Sequence, residues 1–226
     1  MKALETKGNM RLHIKDPGSA LTHLIGIIIS IFGTALLLYF SVIQETVRHI
    51  VSFSIYGASL ILLYSASTIY HTIDISPKIT KILRKIDHMM IFILIAGTYT
   101  PICLIALEGF WRWGMLIGIW ALALIGIFIK AFWMTAPRWL STLFYILMGW
   151  LAVIAIVPLV HSLPVGGIVW LVFGGLFYTV GALIYGLKRP KLPFKNFGFH
   201  EVFHVFVLAG SICHYWMMLR YILGIS

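Results

Sequence analysis

The sequence has few charged residues and few cysteines, and both shortages limit the class of protein. Charged residues make up 11% of the 226 residues, whereas a soluble domain of this size usually carries about 25%. The two cysteines, Cys103 and Cys213, both fall within hydrophobic stretches and provide no disulfide framework. The sequence also lacks a phosphate-binding loop, a dinucleotide fingerprint, internal repeats and low-complexity tracts.

Hydrophobic residues make up 61% of the chain, and the mean hydropathy is +0.98. They form long runs, each long enough to cross a bilayer core about 30 Å thick. The alternating short strands of an outer-membrane barrel are not seen. The first run is too long for a cleaved signal peptide and follows a stretch with charges of both signs. The sequence therefore predicts an all-α, polytopic membrane protein with a bundle of seven transmembrane helices. The predicted spans are residues 20–42, 50–70, 88–107, 113–131, 139–159, 166–187 and 200–222, in a membrane domain of residues 20–226 that follows an N-terminal tail of residues 1–19.

The basic residues are distributed unequally between the two sides of the predicted membrane domain. The tail and the loops after spans 2, 4 and 6 hold fourteen lysines and arginines, and the opposite side holds three. Because basic loops stay on the cytoplasmic side, this predicts a cytoplasmic N-terminus and an external C-terminus in the cell (plasma or inner) membrane. The net charge of +10 is then mostly a topology signal. It suits anionic inner-leaflet lipid and needs no nucleic acid partner.

Three histidines are predicted to meet at the cytoplasmic side. His71 ends the second span, and His200 begins the seventh with His204 one helical turn deeper. Three neutral imidazoles leave a fourth tetrahedral position for water, which is the layout of a catalytic zinc site. Asp87, at the start of the third span, and Ser67, one turn before His71, are predicted at the same depth. Their convergence with the histidines favours a metal site, with zinc as the leading candidate.

Each of these residues, taken alone, also has a structural interpretation. A single histidine at a helix end is more often an interfacial or hydrogen-bonded residue than a ligand. Asp87 could cap a helix or pair with Arg84 or Lys85. Ser67 could bond to a backbone carbonyl of its own helix. His23 is predicted to be a simple span-end residue.

Three stretches resemble the hemolysin III group of the progestin and adipoQ receptor family, in a superfamily with the alkaline ceramidases. They are STIYH (Ser67–His71), RKIDHMMIFILIAGTYTP (Arg84–Pro101) and HEVFHVFVLAGSICH (His200–His214). The resemblance covers essentially the whole chain. It implies a zinc ion held by His71, His200 and His204. It also implies that Asp87 contacts the zinc-bound water and that Ser67 lies beside the site.

The resemblance implies a zinc-dependent hydrolase of an acyl-lipid amide bond, with Asp87 and Ser67 as catalytic residues and membrane lipids as partners. Two other functions stay open: a haemolytic or pore-forming protein, and a lipid or membrane-state sensor with structural zinc. A third alternative, an intramembrane metalloprotease, follows from the H-E-x-x-H pattern of residues 200–204, in which Glu201 would be the general base. That alternative leaves His71 and Ser67 without a role. In the hydrolase interpretation Glu201 is predicted to face the cytoplasmic interface or a basic loop residue.

Overall fold

A computed structural model describes residues 14–44, 47–133, 137–193 and 197–225. Most of these residues are helical. Within these ranges, seven helical segments are long and apolar enough to span a membrane, so the predicted all-α fold with seven spans is confirmed. The fifth segment, Arg138–Ser162, joins two helices through a 3₁₀ turn. The helices are α1 (Pro17–Ile43), α2 (Val47–Thr72), α3 (Pro77–Pro101), α4 (Gly109–Phe132), α5 (Arg138–Gly149), α6 (Ile156–Ser162), α7 (Val165–Leu187) and α8 (Phe199–Met217), with π-helical turns at Ile102–Ala106 and Met218–Ile222.

Helix α3 begins about three turns before the predicted start of the third span. Ser76 caps it by accepting a hydrogen bond from the Ile79 amide at 3.3 Å, and Pro77 fixes the first helical position. The lysines that follow are good helix formers, so the helix extends through a polar stretch that hydropathy assigns to a loop. Asp87 consequently lies well inside α3, and the interpretation of Asp87 as a helix cap is wrong.

The helices pack into a bundle with α2 and α3 near its centre. Helix α2 packs between α1 and α3, while α8 packs against α7 and α1. Small residues permit the close approach of α2 and α3, since a Cβ added to Gly97 would overlap the Ser59 side chain. The end of α2 and the start of α8 meet at one end of the bundle, here called the histidine end because it contains His71 and His200.

Candidate metal centre

The three predicted ligands come together at the histidine end. His71 lies in the last turn of α2, while His200 and His204 lie one turn apart at the start of α8. One ring nitrogen from each lies within 4.8 Å of the other two, and the Nε2 atoms of His71 and His200 are 3.2 Å apart. Two ligands on a tetrahedral zinc ion are separated by about 3.3 Å. The buried cluster could therefore hold a metal ion.

For His71 and His204, hydrogen bonds outside the cluster determine which ring nitrogen is available to bind a metal ion. His71 Nδ1 donates to Asp16 Oδ2 at 3.0 Å, because an ionised carboxylate can only accept. His204 Nδ1 lies 3.3 Å from the Ser19 carbonyl oxygen and 3.2 Å from Thr22 Oγ1. Since a carbonyl also only accepts, this Nδ1 carries the proton. Both rings therefore direct an unprotonated Nε2 to the cluster, as zinc-bound histidines do. The residues present fit a zinc ion.

Asp16 was not among the predicted site residues, although it holds His71 in place. Its amide also donates to the His71 carbonyl at 2.9 Å. The neighbouring Lys15 Nζ lies 3.7 Å from the centre of the Tyr70 ring and 3.6 Å from Asp16 Oδ2. Lys15 and Asp16, directly before α1, are thus fastened to the last turn of α2. The sequence shows only an acid before Pro17, and nothing local indicates that it meets His71.

His23 is buried and lies against the cluster, so the prediction of a simple span-end residue is wrong. Its ring stacks on that of His204, with centroids 3.6 Å apart and planes 8° apart. Tyr64 meets its edge at 5.1 Å between centroids. The difference arises because α1 begins at Pro17 and packs against α8, which places His23 inside the bundle. The stacked ring restricts rotation of His204.

Glu201 is engaged at the start of α8. Its Oε1 accepts from Ser19 Oγ at 2.5 Å, and its Oε2 accepts from the Gly198 amide at 2.8 Å. The second bond satisfies the N-cap amide of α8 through the side chain three residues later, and this stabilises the first turn of the helix. These partners are a hydroxyl and an amide rather than a basic loop residue. Both carboxylate oxygens are occupied, which suits a structural role better than that of a general base.

A cavity of about 140 Å³ adjoins the cluster, and His200 and His204 line it. Asp87 and Ser67, both buried, line the same cavity. Each water needs about 10–15 Å³ of cavity volume measured in this way, so the cavity has room for about ten waters. The structure thus brings Asp87 and Ser67 into the space next to the histidines, while their catalytic roles stay predictions.

The cavity is elongated along the bundle and largely apolar. Its lining on α3 runs from Arg84 to Tyr99, and an α-helix rises about 22 Å over that length. Its far part also touches His214, whose Nε2 lies 3.2 Å from the Leu171 carbonyl oxygen, away from the metal cluster. Apolar side chains supply much of the wall between these ends, including Leu63, Ile91, Leu94, Ile95, Phe203 and Val207. The shape suits a hydrocarbon chain next to a polar head.

Comparisons with known proteins match nearly the whole chain. A family model described as "Haemolysin-III related" matches residues 12–215. Hemolysin-3 of Bacillus cereus is 42% identical over 209 residues, covering 92% of each chain. A Hemolysin-3 homolog of Bacillus subtilis (strain 168) is 41% identical over 207 residues, covering 92% of this chain and 94% of the relative. The human monocyte to macrophage differentiation factor is 25% identical over 209 residues, covering 89% and 82%.

Proposed function

The chain belongs to the haemolysin-III-related family, as the sequence resemblance predicted, and on this premise we propose that it is a zinc-dependent membrane hydrolase of acyl-lipid amide bonds. One observation carries the proposal. A buried three-histidine cluster adjoins a cavity that also holds a carboxylate, a hydroxyl and long apolar walls. Fold alone would not indicate a reaction, since function depends on the site.

The proposed roles follow from what each side chain can do. His71, His200 and His204 hold the ion, which when bound supplies a Lewis acid that polarises a carbonyl and acidifies water. Asp87 takes a proton from the attacking water in the cavity and delivers it to the leaving amine. Ser67, with a hydroxyl on the same wall, donates a hydrogen bond to the oxygen that gains charge. The acyl chain of the substrate lies along the apolar walls.

We infer that the histidine end faces the cytoplasm of a cell membrane. The inference is supported by the fourteen-to-three distribution of basic residues in the sequence. Membrane lipids are then the partners, and a lipid amide reaches the cavity from the inner leaflet. The carbonyl of such a lipid lies near the depth of the histidine cluster.

The test combines metal analysis with a hydrolysis screen. Purified protein should carry about one zinc per chain and release fatty acid from a panel of N-acyl lipids. His204→Ala should lose most of the zinc and all of the activity, whereas Asp87→Ala should lose activity but keep more zinc. The control is His161→Ala, because His161 is exposed and outside the cluster. A zinc-loaded protein that cleaves no acyl amide in the panel would exclude the hydrolase and favour the sensor.

The name of the Bacillus cereus relative, Hemolysin-3, favours a second candidate function, the lysis of red cells. Purified protein added to red cells measures it directly by haemoglobin release. If His204→Ala lyses cells as well as the unaltered protein does, lysis is independent of the metal centre. If His204→Ala instead loses both lysis and lipid hydrolysis, the two activities depend on the same site.

A further inference from the structure

Three cationic side chains line the cavity at the histidine end. Arg84 extends from α3, Lys130 from the last turn of α4, and Arg138 from the first turn of α5. Lys130 is 6% exposed, and its Nζ donates to Ser141 Oγ at 2.7 Å. The ammonium group is thus held away from bulk water, with one hydroxyl partner and the cavity beside it, where an anion would compensate its charge.

Within the part of the chain that the structure describes, no carboxylate forms an ion pair with these three cations, and Asp87, which interacts electrostatically with Arg84, is the one carboxylate that lines the cavity with them. The ion pairs found there both involve Asp16, with Lys15 and with His71. Asp87 lines the same cavity but forms no ion pair with any of the three cations among those residues. The cavity therefore carries an excess of positive charge at this end.

The general excess of basic residues at the histidine end does not account for Lys130. Topology-setting lysines need only reach the headgroup region, and Lys78, Lys81 and Lys188 are exposed as this predicts. Lys130 instead points into the bundle, toward Ser141 and the cavity. Its burial and direction therefore need an explanation other than topology.

The cations lie where the cavity reaches the surface. Arg138 and Gly149 both line the cavity and are exposed, so the cavity reaches the surface along α5, and Arg138 marks the end that lies beside the other two cations. Its guanidinium carbon lies 5.6 Å from the centre of the Tyr185 ring, which also lines the cavity and limits the movement of the arginine. A molecule at this opening would have its head beside three cations and its tail among apolar side chains.

We propose that Arg84, Lys130 and Arg138 bind the anionic head, a carboxylate or a phosphate, of a single-chain amphiphile whose hydrocarbon chain occupies the apolar part of the cavity. Guanidinium groups bind both kinds of oxyanion through paired hydrogen bonds, and the ammonium adds a point charge. Binding does not require cleavage. Resting on the proposed function, this assigns the hydrolase a substrate that is an acyl amide with an anionic head.

The test is competition for binding of radiolabelled palmitate to the full-length purified protein in neutral lipid nanodiscs. Unlabelled palmitate and hexadecyl phosphate should compete about tenfold or more better than hexadecanol, which has a similar chain and no charge. The better of the two anions identifies the head as carboxylate or phosphate. Hexadecanol competing as well as both anions would overturn the proposal.

Variants locate the binding site. Lys130→Met should remove most of the preference for anions, and Lys130→Arg, which keeps the charge, should restore it. This restoration separates loss of binding from loss of folding. Lys85→Gln is the matched control, because Lys85 follows Arg84 on α3 but does not line the cavity. An equal loss in Lys85→Gln would indicate general surface attraction and contradict the proposal.

His204→Ala distinguishes this site from the metal centre. If the cations hold the anion, the preference should survive His204→Ala and depend on Lys130. If His204→Ala removes it while Lys130→Met does not, the anion is held at the histidine cluster and the proposal is wrong. A protein that binds anions through Lys130 yet cleaves no lipid would overturn the proposed hydrolase and leave this inference standing.

Discussion

At the residue scale, Asp16 controls the orientation of His71, a proposed metal ligand. Because its carboxylate accepts from His71 Nδ1, Asp16→Ala should leave that ring free to rotate and weaken zinc binding about 10- to 100-fold. The measurement is competition with a chelator of known affinity. Asp74→Ala is the matched control, since Asp74 is exposed in the turn after α2. Unchanged zinc affinity in Asp16→Ala would show that the cluster orients itself without the carboxylate.

Substitution of two other carboxylates, Asp87 and Glu201, distinguishes the proposed hydrolase from the alternative metalloprotease. Asp87 lines the cavity, so Asp87→Asn should lower the rate of lipid hydrolysis about 100-fold or more. Glu201 is engaged with Ser19 and Gly198, so Glu201→Gln should cost about 1 kcal/mol of stability and little activity. Rates and melting temperatures of both variants test this. The opposite order of rates would favour Glu201 as general base.

The site residues that the sequence predicted lie in local patterns, whereas those it missed depend on contacts between segments far apart in the chain. His200 and His204 are recognisable because their spacing is local, and His71 because it ends a hydrophobic run. Asp16 and His23 contact the cluster only because α1 packs against α2 and α8. The Ser19–Glu201 bond joins residues 182 positions apart. No pattern in the sequence indicates that pairing, so the outer part of the site required the structure.

At the element scale, apolar run length predicted the seven spans, and it failed where a helix is polar. The start of α3 was missed because Ser76 and Pro77 begin a helix whose first turns carry lysines. Hydropathy measures membrane burial, whereas capping and helix propensity set where a helix begins. The lysines in the first turns of α3 therefore belong to a helix, and they also contribute to the unequal distribution of basic residues between the two sides of the membrane.

The close contact between α2 and α3 predicts that a larger side chain at Gly97 destabilises the helix bundle. A Cβ on Gly97 would overlap the Ser59 side chain, so Gly97→Ala should force these helices apart. Overpacking of this kind costs about 1–3 kcal/mol, and the melting temperature in detergent should fall by several degrees. Gly118→Ala is the control, because nothing lies within 4 Å of a Cβ there. Equal melting temperatures for the two variants would mean that α2 and α3 adjust without strain.

At the scale of the whole molecule, the proposed orientation decides which compartment the metal centre faces. Fourteen of the seventeen lysines and arginines lie on the side predicted to be cytoplasmic, and several of them, such as Arg84 and Arg138, project from helices at the histidine end. An odd number of spans then places the C-terminus outside.

A C-terminal alkaline phosphatase fusion should be active, and a C-terminal green fluorescent protein fusion should be dark. A fusion after residue 75, between α2 and α3, should show the reverse pattern. If the C-terminal fluorescent fusion is bright in an intact chain, the histidine end faces outward. The proposed substrate would then have to come from the outer leaflet, although the proposed zinc and anion sites themselves would be unaffected.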